Sequence, residues 1–537
     1  MRLDDPTATR IVGGNRSAAE ILVEIAEAAT VFRDTDGETA YADLVMLTHR
    51  ETWPVRSKSF RRWLAGIFYK QEGKPPGGQA VADALAVIEA RAQYEGAVRP
   101  VHVRVAGDDR AIYLDLANAT WQAIEITAVG WRVVSDPPVR FRRARGMLPL
   151  PLPLRGGPLA ELRDFVNIGG EDQWSLLMAW LVAALRPTGP YPVLALLGEQ
   201  GTSKSTTQEV FRALVDPNVA PLRAEPRDIR DVMIAASNGW FVALDNLSDI
   251  APWLSDTLCR LSTGGGFSTR ELYSDDDERI FVATRPVMVN GIDAVISRAD
   301  LLDRALIVDL PRIPAKQRRQ RQAFWHDFES ARPSILGGLL DAVAGALARH
   351  PKVTLPTLPR MADFASWAVA AEPNLGCAKE GIFLAAYEGN RAQAHVLALE
   401  ASPIAGAVRT LAGREAWKGT ATELLETLGG IASEALRRAK GWPSSPRLLS
   451  GALRRVVPSL REVGILVDFP DEKALGAARR QILIRTDPEF SVPTVPPVPV
   501  VPRNAQERSG NDAQTRVGTD GNDGNGEMPT SSDPLPF

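Results

Sequence analysis

Tyr191-Pro-Val-Leu-Ala-Leu-Leu197 has no polar face, the composition of a strand buried on both sides. Gly198-Glu-Gln-Gly-Thr-Ser-Lys-Ser-Thr206 follows it, and Thr207 to Val215 then reads as a helix. A buried strand feeding a turn and a helix belongs to a sheet covered on both faces, so the chain must contain an α/β core. The turn N–H groups and the helix N-terminus form a concave anion site. Lys204 is placed to reach β- and γ-phosphates and Ser205 to ligate Mg²⁺. Gly198, Glu199, Gln200, Gly201, Thr202, Ser203, Lys204, Ser205 and Thr206 are therefore the candidate nucleotide-binding residues, with ATP and Mg²⁺ as the expected cofactors. Where the usual loop has its second glycine this chain has Ser203, at a cost of about 1 kcal/mol if the turn needs a left-handed backbone.

Two more apolar strands end in polar residues. Trp240-Phe-Val-Ala-Leu ends in Asp245, a second candidate Mg²⁺ ligand, and in Asn246, whose amide cannot act as a general base. Pro286-Val-Met-Val ends in Asn290, which can position a water near a terminal phosphate. A fourth strand, Ala305 to Leu310, is preceded by Arg298 and Arg304, each a candidate to stabilise phosphoryl-transfer charge in a neighbour's site. Lys204, Asp245, Asn290, Arg304 and Arg298 are the expected catalytic set. The bland alternatives are a strand-end turn for Asp245 and surface ion pairs for the arginines.

The 537 residues suggest three or four structural units. Residues 1–17 read as a loose tail and 18–145 as one α/β domain. That domain has helices near 18–29, 60–70 and 79–94 and short strands between 101 and 134. Alternating prolines in Met147-Leu-Pro-Leu-Pro-Leu-Pro-Leu exclude helix and sheet interior, so 146–159 reads as a linker. Residues 160–314 read as the ATPase core with a helical lead-in to 186, 315–400 as a helical block, and 487–537 as a disordered tail. The formal charge of −3 names no partner, so any nucleic-acid surface must be local. Two distant cysteines, Cys259 and Cys377, no secretory leader and a longest apolar run of Leu176 to Leu185 fit a cytoplasmic protein with no membrane partner. The five histidines show no ligand spacing, and the first 150 residues show no carboxylate pair of polymerase type.

Such a local surface is present near the C-terminus. Residues 401–486 hold 14 Lys and Arg against 8 Asp and Glu. A helix at 421–428, a turn at Trp442-Pro443, a basic helix opened by Ser445-Pro446, and two short strands near 466–469 and 481–485 make a winged-helix-like order. Arg447, Arg454 and Arg455 on the basic helix are the candidate DNA contacts; a basic protein-docking domain is the alternative reading. The basic stretch Arg56 to Arg62 reads equally well as a nucleic-acid contact or a solvated helix face.

Between Asp245 and Asn290 lies Leu261-Ser-Thr-Gly-Gly-Gly-Phe-Ser-Thr-Arg-Glu-Leu-Tyr273. With the four motifs above, in that order over 190–315, the chain resembles the superfamily-three helicases, in particular the primase-helicase ATPases of phages, plasmids and integrated elements. The resemblance implies an AAA+ P-loop core, a homo-oligomeric ring (a hexamer), arginine fingers acting in trans, and DNA threaded through the ring beside replication proteins. It matches Lys204 and Ser205 to the phosphate loop, Asp245 to the acid, Asn290 to the sensor, Arg304 to the finger and Arg270 to the motif arginine. In DNA-moving relatives a basic residue sits near the tip of a β-hairpin. Here the expected tip, Ser274 to Glu278, is acidic, flanked by Arg270, Arg279 and Arg285, of which Arg270 and Arg279 are further candidate DNA contacts. Two readings stay open: a helicase-like motor acting on single-stranded and duplex DNA, or a nucleotide-controlled DNA-binding initiator without unwinding.

Overall fold

The computed structural model describes residues 16–46, 48–270, 278–291, 296, 298–439, 441–469 and 481–488. Those up to 488 lie in the first of two compact units, residues 1–490. Of the expected tails, only 16–17 and 487–488 are among the described residues.

Helix α1 (Ala18–Ile25) starts at a reciprocal cap. The Glu20 N–H donates to Ser17 Oγ at 3.2 Å, and the Ser17 N–H donates to Glu20 Oε2 at 2.8 Å. Strands β1 (Ala29–Arg33), β2 (Ala40–Val45) and β3 (Arg50–Pro54) pair antiparallel. Helices α2 (Lys58–Glu72) and α3 (Gly78–Tyr94) follow, and β4 (Ala97–Val98) closes the sheet in the order β3-β2-β1-β4. Leu22, Phe60, Leu64, Phe68, Leu85 and Ile88 fill the core of this module.

The chain then leaves that core. Strand β5 (Val101–His102) pairs with β10 (Arg140–Phe141). Between them β6 (Val105–Gly107), β7 (Ala111–Asp115), β8 (Ala123–Thr127) and β9 (Gly130–Val134) form an antiparallel meander. Val105, Ile112, Leu114, Ile124, Ile126 and Trp131 of the meander bury in the same core as the helices of residues 171–387. The strands of residues 105–134 therefore bury in a different core from α1, α2 and α3: the sequence shows the strands, but not which hydrophobic core they join.

The proline-rich segment, expected as a linker, is bonded to the elements around it. Prolines 149, 151 and 153 cannot donate, but the leucines between them can. Leu148 N–H donates to Pro217 O, Leu150 N–H to Leu116 O and Leu154 N–H to Pro333 O, each at 2.9 Å. The segment is pinned along its length, with Leu150 buried and Leu152 exposed.

A 3₁₀ turn (Leu159–Phe165) leads into α4 (Glu171–Ala183), buried from Trp174 onward. The central sheet consists of β11 (Val193–Leu197), β12 (Val242–Leu247), β15 (Val287–Gly291) and β16 (Ala305–Asp309), all parallel, in the order β12-β15-β11-β16. Leu194 and Leu196 of β11 face one core, and Val193, Ala195 and Leu197 the other, which explains its unbroken apolar run. Helices α5 (Lys204–Val215), α6 (Ile229–Asn238), α7 (Pro252–Thr263) and the short α8 (Ala299–Leu302) connect the strands. The hairpin β13 (Gly266–Arg270) and β14 (Glu278–Val282) lies between α7 and β15.

Helices α9 (Arg321–Arg349), α10 (Ala362–Ala371) and α11 (Ile382–Glu400) pack on α4 and share its core, so the helical block is continuous with the sheet domain. The C-terminal module has its own core. It runs α12 (Ala405–Ala412), β17 (Trp417–Thr420), α13 (Ala421–Ile431), α14 (Glu434–Arg438), α15 (Pro446–Glu462), β18 (Ile465–Asp468) and β19 (Gln481–Thr486). The strand order is β17-β19-β18, so β17, absent from the sequence reading, completes a three-stranded sheet. Cys259 and Cys377 are free thiols. Among the described residues no helix is long and apolar enough to cross a membrane.

One buried ion cluster ties these parts together. Arg104 Nε donates to Asp216 Oδ1 at 3.0 Å, Arg104 Nη1 to Asp115 O and Arg104 Nη2 to Leu148 O. Asp216 Oδ2 also accepts the Trp240 N–H at 2.9 Å, with Arg212 at 3.4 Å. Burial pushes the Asp216 carboxyl up, but Arg104 and Arg212 outweigh it and hold it below the usual carboxylate range. Asp216→Ala strands two buried guanidinium groups and should cost about 3–5 kcal/mol in urea unfolding. Because the folded carboxyl is depressed, this contribution is present above the ordinary carboxylate range and fades as the pH falls through it. A loss below about 1 kcal/mol would show the cluster to be incidental.

Candidate active site

The loop after β11 and the polar residues of β12 and β15 meet at the carboxyl edge of the sheet, where open parallel sheets bind ligands. The loop turns sharply at Gly198, with φ of 136°, and a Cβ there would lie 2.7 Å from Leu310 O. It ends at Ser203, whose φ of 66° and ψ of 26° are left-handed. The turn therefore does demand the conformation in which glycine is usual. Thr202 Oγ1 donates to Glu199 O at 3.0 Å and holds the loop across its width.

Lys204 opens α5. Its Nζ donates to Gly198 O at 2.6 Å and Glu199 O at 2.8 Å, so the ammonium lies across the loop mouth. Burial lowers its pKa, and Asp245 opposes that. Ser205 Oγ donates to Asp245 Oδ1 at 2.7 Å. The Asp245 backbone is held by its N–H bond to Arg223 O at 2.8 Å, and a bulge between Leu244 and Leu247 turns its side chain toward α5. Asn246 sits in the bulge with φ of 57°.

Asn290, almost fully buried, is the hub. Its Nδ2 donates to Asp245 Oδ1 at 2.6 Å and Gln208 Oε1 at 2.8 Å, and its Oδ1 accepts the Asn246 N–H at 2.7 Å. Gln208 Nε2 donates to Leu244 O at 3.1 Å. Gln208 was not among the expected residues. Its signal is a polar side chain three residues after Ser205, next to the inward-facing Val210 and Phe211 of the same helix.

Ser205 and Asp245 offer adjacent hard oxygens, the donor type Mg²⁺ shares with waters and substrate phosphates. Among the described residues no group of three or more His, Cys, Asp or Glu could hold a metal ion, so such an ion would depend on phosphate oxygens as well. The loop N–H groups, Lys204, Ser205 and Asp245 are fitted to hold a Mg²⁺-bound nucleotide.

Arg304 and Arg298 are elsewhere. Arg304 precedes β16, and its carbonyl accepts the Val193 N–H at the amino end of β11. Five strand residues, roughly 16 Å at 3.3 Å each, separate it from the loop. Arg304 therefore cannot reach its own loop. Arg304 Nη1 donates to Asp300 O at 2.7 Å, whereas Arg298 is ion-paired with Asp256 at 2.8 Å and Asp300 at 3.2 Å. Arg270 ends β13 and Arg279 lies in β14, opposite Thr269; residues 271–277 of the expected acidic tip lie outside the described residues.

On α15, Leu449, Leu453, Val456 and Leu460 point into the module core, and Arg447, Arg454 and Arg455 are exposed on the other side. The Arg454 guanidinium stacks 4.1 Å from the Phe469 ring centroid.

Two family models match this chain. Residues 159–391 match the actinomycete integrative conjugative element replication protein, and residues 404–497 match the C-terminal domain of the same RepA family. The matches support a replication protein of a mobile element. The first begins at the 3₁₀ turn before α4 and ends within α11, while the second begins just before α12, so their division falls where the C-terminal core begins. No curated protein matches the chain. Among solved structures, the A-form apo C-terminal region of NrS-1 (residues 305–718) is 10% identical with a TM-score of 0.36, covering 88% of this chain and 99% of that one. A second apo structure of that region is 11% identical with a TM-score of 0.37, covering 88% and 100%. TM-scores this low do not establish a shared fold.

The left-handed Ser203 yields a direct test. Ser203→Gly should raise stability by up to about 1 kcal/mol, read as a higher Tm, with nucleotide binding retained. An unchanged or lower Tm would show that Ser203 bears no backbone strain.

Proposed function

We propose that this chain is an ATP-hydrolysing, DNA-binding protein of mobile-element replication, with an AAA+ core that works as a ring. The observation that carries this reading is the junction of Lys204, Ser205, Asp245 and Asn290 at the carboxyl edge of the parallel sheet. The loop amides and Lys204 bind phosphate oxygens. Ser205 and Asp245 hold Mg²⁺, which would neutralise phosphate charge when bound. Asn290 keeps the Asp245 carboxylate aimed at Ser205. Arg304, out of reach of its own loop, enters the loop of the next copy and stabilises charge as the terminal phosphoryl group transfers. Asn246 takes no proton, so hydrolysis depends on positioning and electrostatics rather than a carboxylate base at that place.

The C-terminal module supports the DNA part of the reading. Helix α13, the turn, basic α15 and the β18–β19 pair stand in winged-helix order, with three arginines facing solvent on α15. Asn246 also favours a second reading, a nucleotide-controlled initiator that binds DNA and turns over slowly without unwinding it.

ATPase assays titrated with single-stranded and duplex DNA, alongside unwinding of a forked duplex, separate the two. DNA-stimulated turnover with strand separation supports the motor. Slow turnover indifferent to DNA, with duplex binding retained, supports the initiator. Lys204→Ala should lose both ATP binding and hydrolysis. Arg304→Ala should bind ATP normally but lose turnover on the order of a thousandfold, and a wild-type rate in that variant removes its proposed role.

Replacing Arg447, Arg454 and Arg455 together by alanine should weaken DNA binding and lower the slope of log affinity against log salt by about 2–3. An unchanged slope would move the DNA surface off α15.

A further inference from the structure

The segment after β16 runs alongside the phosphate loop, and three contacts hold it there. The Leu310 N–H donates to Leu197 O at 2.9 Å. Asn167 Nδ2 bridges the loop and the segment, donating to Thr202 O at 3.1 Å and Pro311 O at 2.5 Å. Arg321 reaches back to Glu209 of α5 at 3.2 Å.

This segment is strongly basic: Arg312, Lys316, Arg318, Arg319 and Arg321 occur in ten residues with no acid among them. Two of the five are engaged. Arg321 pairs with Glu209, and Arg319 pairs with Asp327 and lies over the Phe324 ring. Arg318 is different. It is exposed, and among the described residues its side chain makes no hydrogen bond or ion pair. Its Nη2 lies 3.6 Å from the point where a Cβ on Gly201 would stand, so the guanidinium already borders the tip of the loop. Lys204 occupies the opposite part, at the Gly198 and Glu199 carbonyls.

We infer that Arg318 is a phosphate-contacting residue acting in cis, binding the outer phosphates of a nucleoside triphosphate held by the loop of its own chain. The inference rests on the nucleotide reading above and adds a residue and a direction of action to it. An unpaired, permanently charged planar donor beside an anion loop is suited to bidentate phosphate contact. Lys204 and Arg318 then bracket the phosphates from two sides, while Arg304 approaches from a neighbouring copy. A triphosphate should gain more from Arg318 than a monophosphate, because the added charge faces the outer phosphate oxygens.

The test is a titration of the full chain with fluorescent ATP and AMP analogues in Mg²⁺. Arg318→Ala should weaken ATP binding about tenfold, the loss of one charge-assisted hydrogen bond, and change AMP binding by less than about twofold. Arg318→Lys should recover part of the loss. Arg312→Ala, on the same segment, should bind both nucleotides as wild type does. The loss should persist on dilution to monomer, because loop and arginine belong to one chain. Matched melting curves for Arg318→Ala and Arg318→Gln exclude a folding effect, as expected for an exposed side chain. Wild-type ATP affinity in Arg318→Ala overturns the inference and leaves the nucleotide reading standing. So does an equal loss for AMP, an equal loss in Arg312→Ala, or a loss that vanishes on dilution. If the unaltered chain binds no ATP, both fall together.

Discussion

Asp216 is the buried charge on which the geometry of the site depends. It caps α5, the helix that starts at the loop after β11, and accepts the backbone N–H of Trp240 at the entry to β12, the strand that carries Asp245. The helix is thereby fixed to that strand at its far end. At its near end, Ser205 and Asp245 meet at 2.7 Å. A rigid helix tied at both ends leaves little freedom for the loop between β11 and α5. Arg104 extends the same anchor to the meander and to the leucine-proline segment, and it does so from a left-handed backbone with φ of 63°. That conformation is costly for a residue with a side chain, and the five-donor guanidinium, fully buried and bonded to Asp216, Asp115 and Leu148, is what opposes the cost.

The site is polar and mostly satisfied internally. Asp245 accepts from Ser205 and Asn290, Asn290 also bonds Gln208 and Asn246, and Gln208 bonds Leu244. Such a network sets distances between two strands and a helix more sharply than apolar packing alone, since each unmade bond in a buried setting is costly. Lys204 stands outside this network: its ammonium rests on the Gly198 and Glu199 carbonyls of the loop.

Much of the site was legible in the sequence because it lies on elements with strong local rules. The apolar runs ending in Asp245 and Asn290 and the turn before Lys204 are each contiguous. The arginines of α15 could be read as one exposed face because helical spacing separates them from Leu449, Leu453 and Val456. Gln208 and Arg318 were not legible. One is a polar residue whose partners come from β12 and β15, and the other lies far along the chain from the loop it borders. The core that the strands of residues 105–134 join was not legible for a related reason. Alternation shows that a strand has an apolar face but not which core receives it, and here the meander turns its face to α4 and α9 instead of to α2 and α3. Prolines 149, 151 and 153 suggested a linker, and the bonds made by the leucines between them were not legible because their partners lie far along the chain.

By itself the sequence determined the element types, the doubly buried parallel strands, the loop that opens α5, and the local charge of residues 401–486. These follow from side-chain periodicity, from glycine and proline, and from composition, all properties of neighbours along the chain. The tertiary structure alone decided which strands share the carboxyl edge with the loop and that Arg304 lies at the opposite edge. It also decided that the meander joins the main core and that Arg318 comes to rest beside Gly201. Those outcomes depend on how separate faces bury one another and how buried charges find partners, and no local pattern encodes a pairing between residues that far apart in the chain.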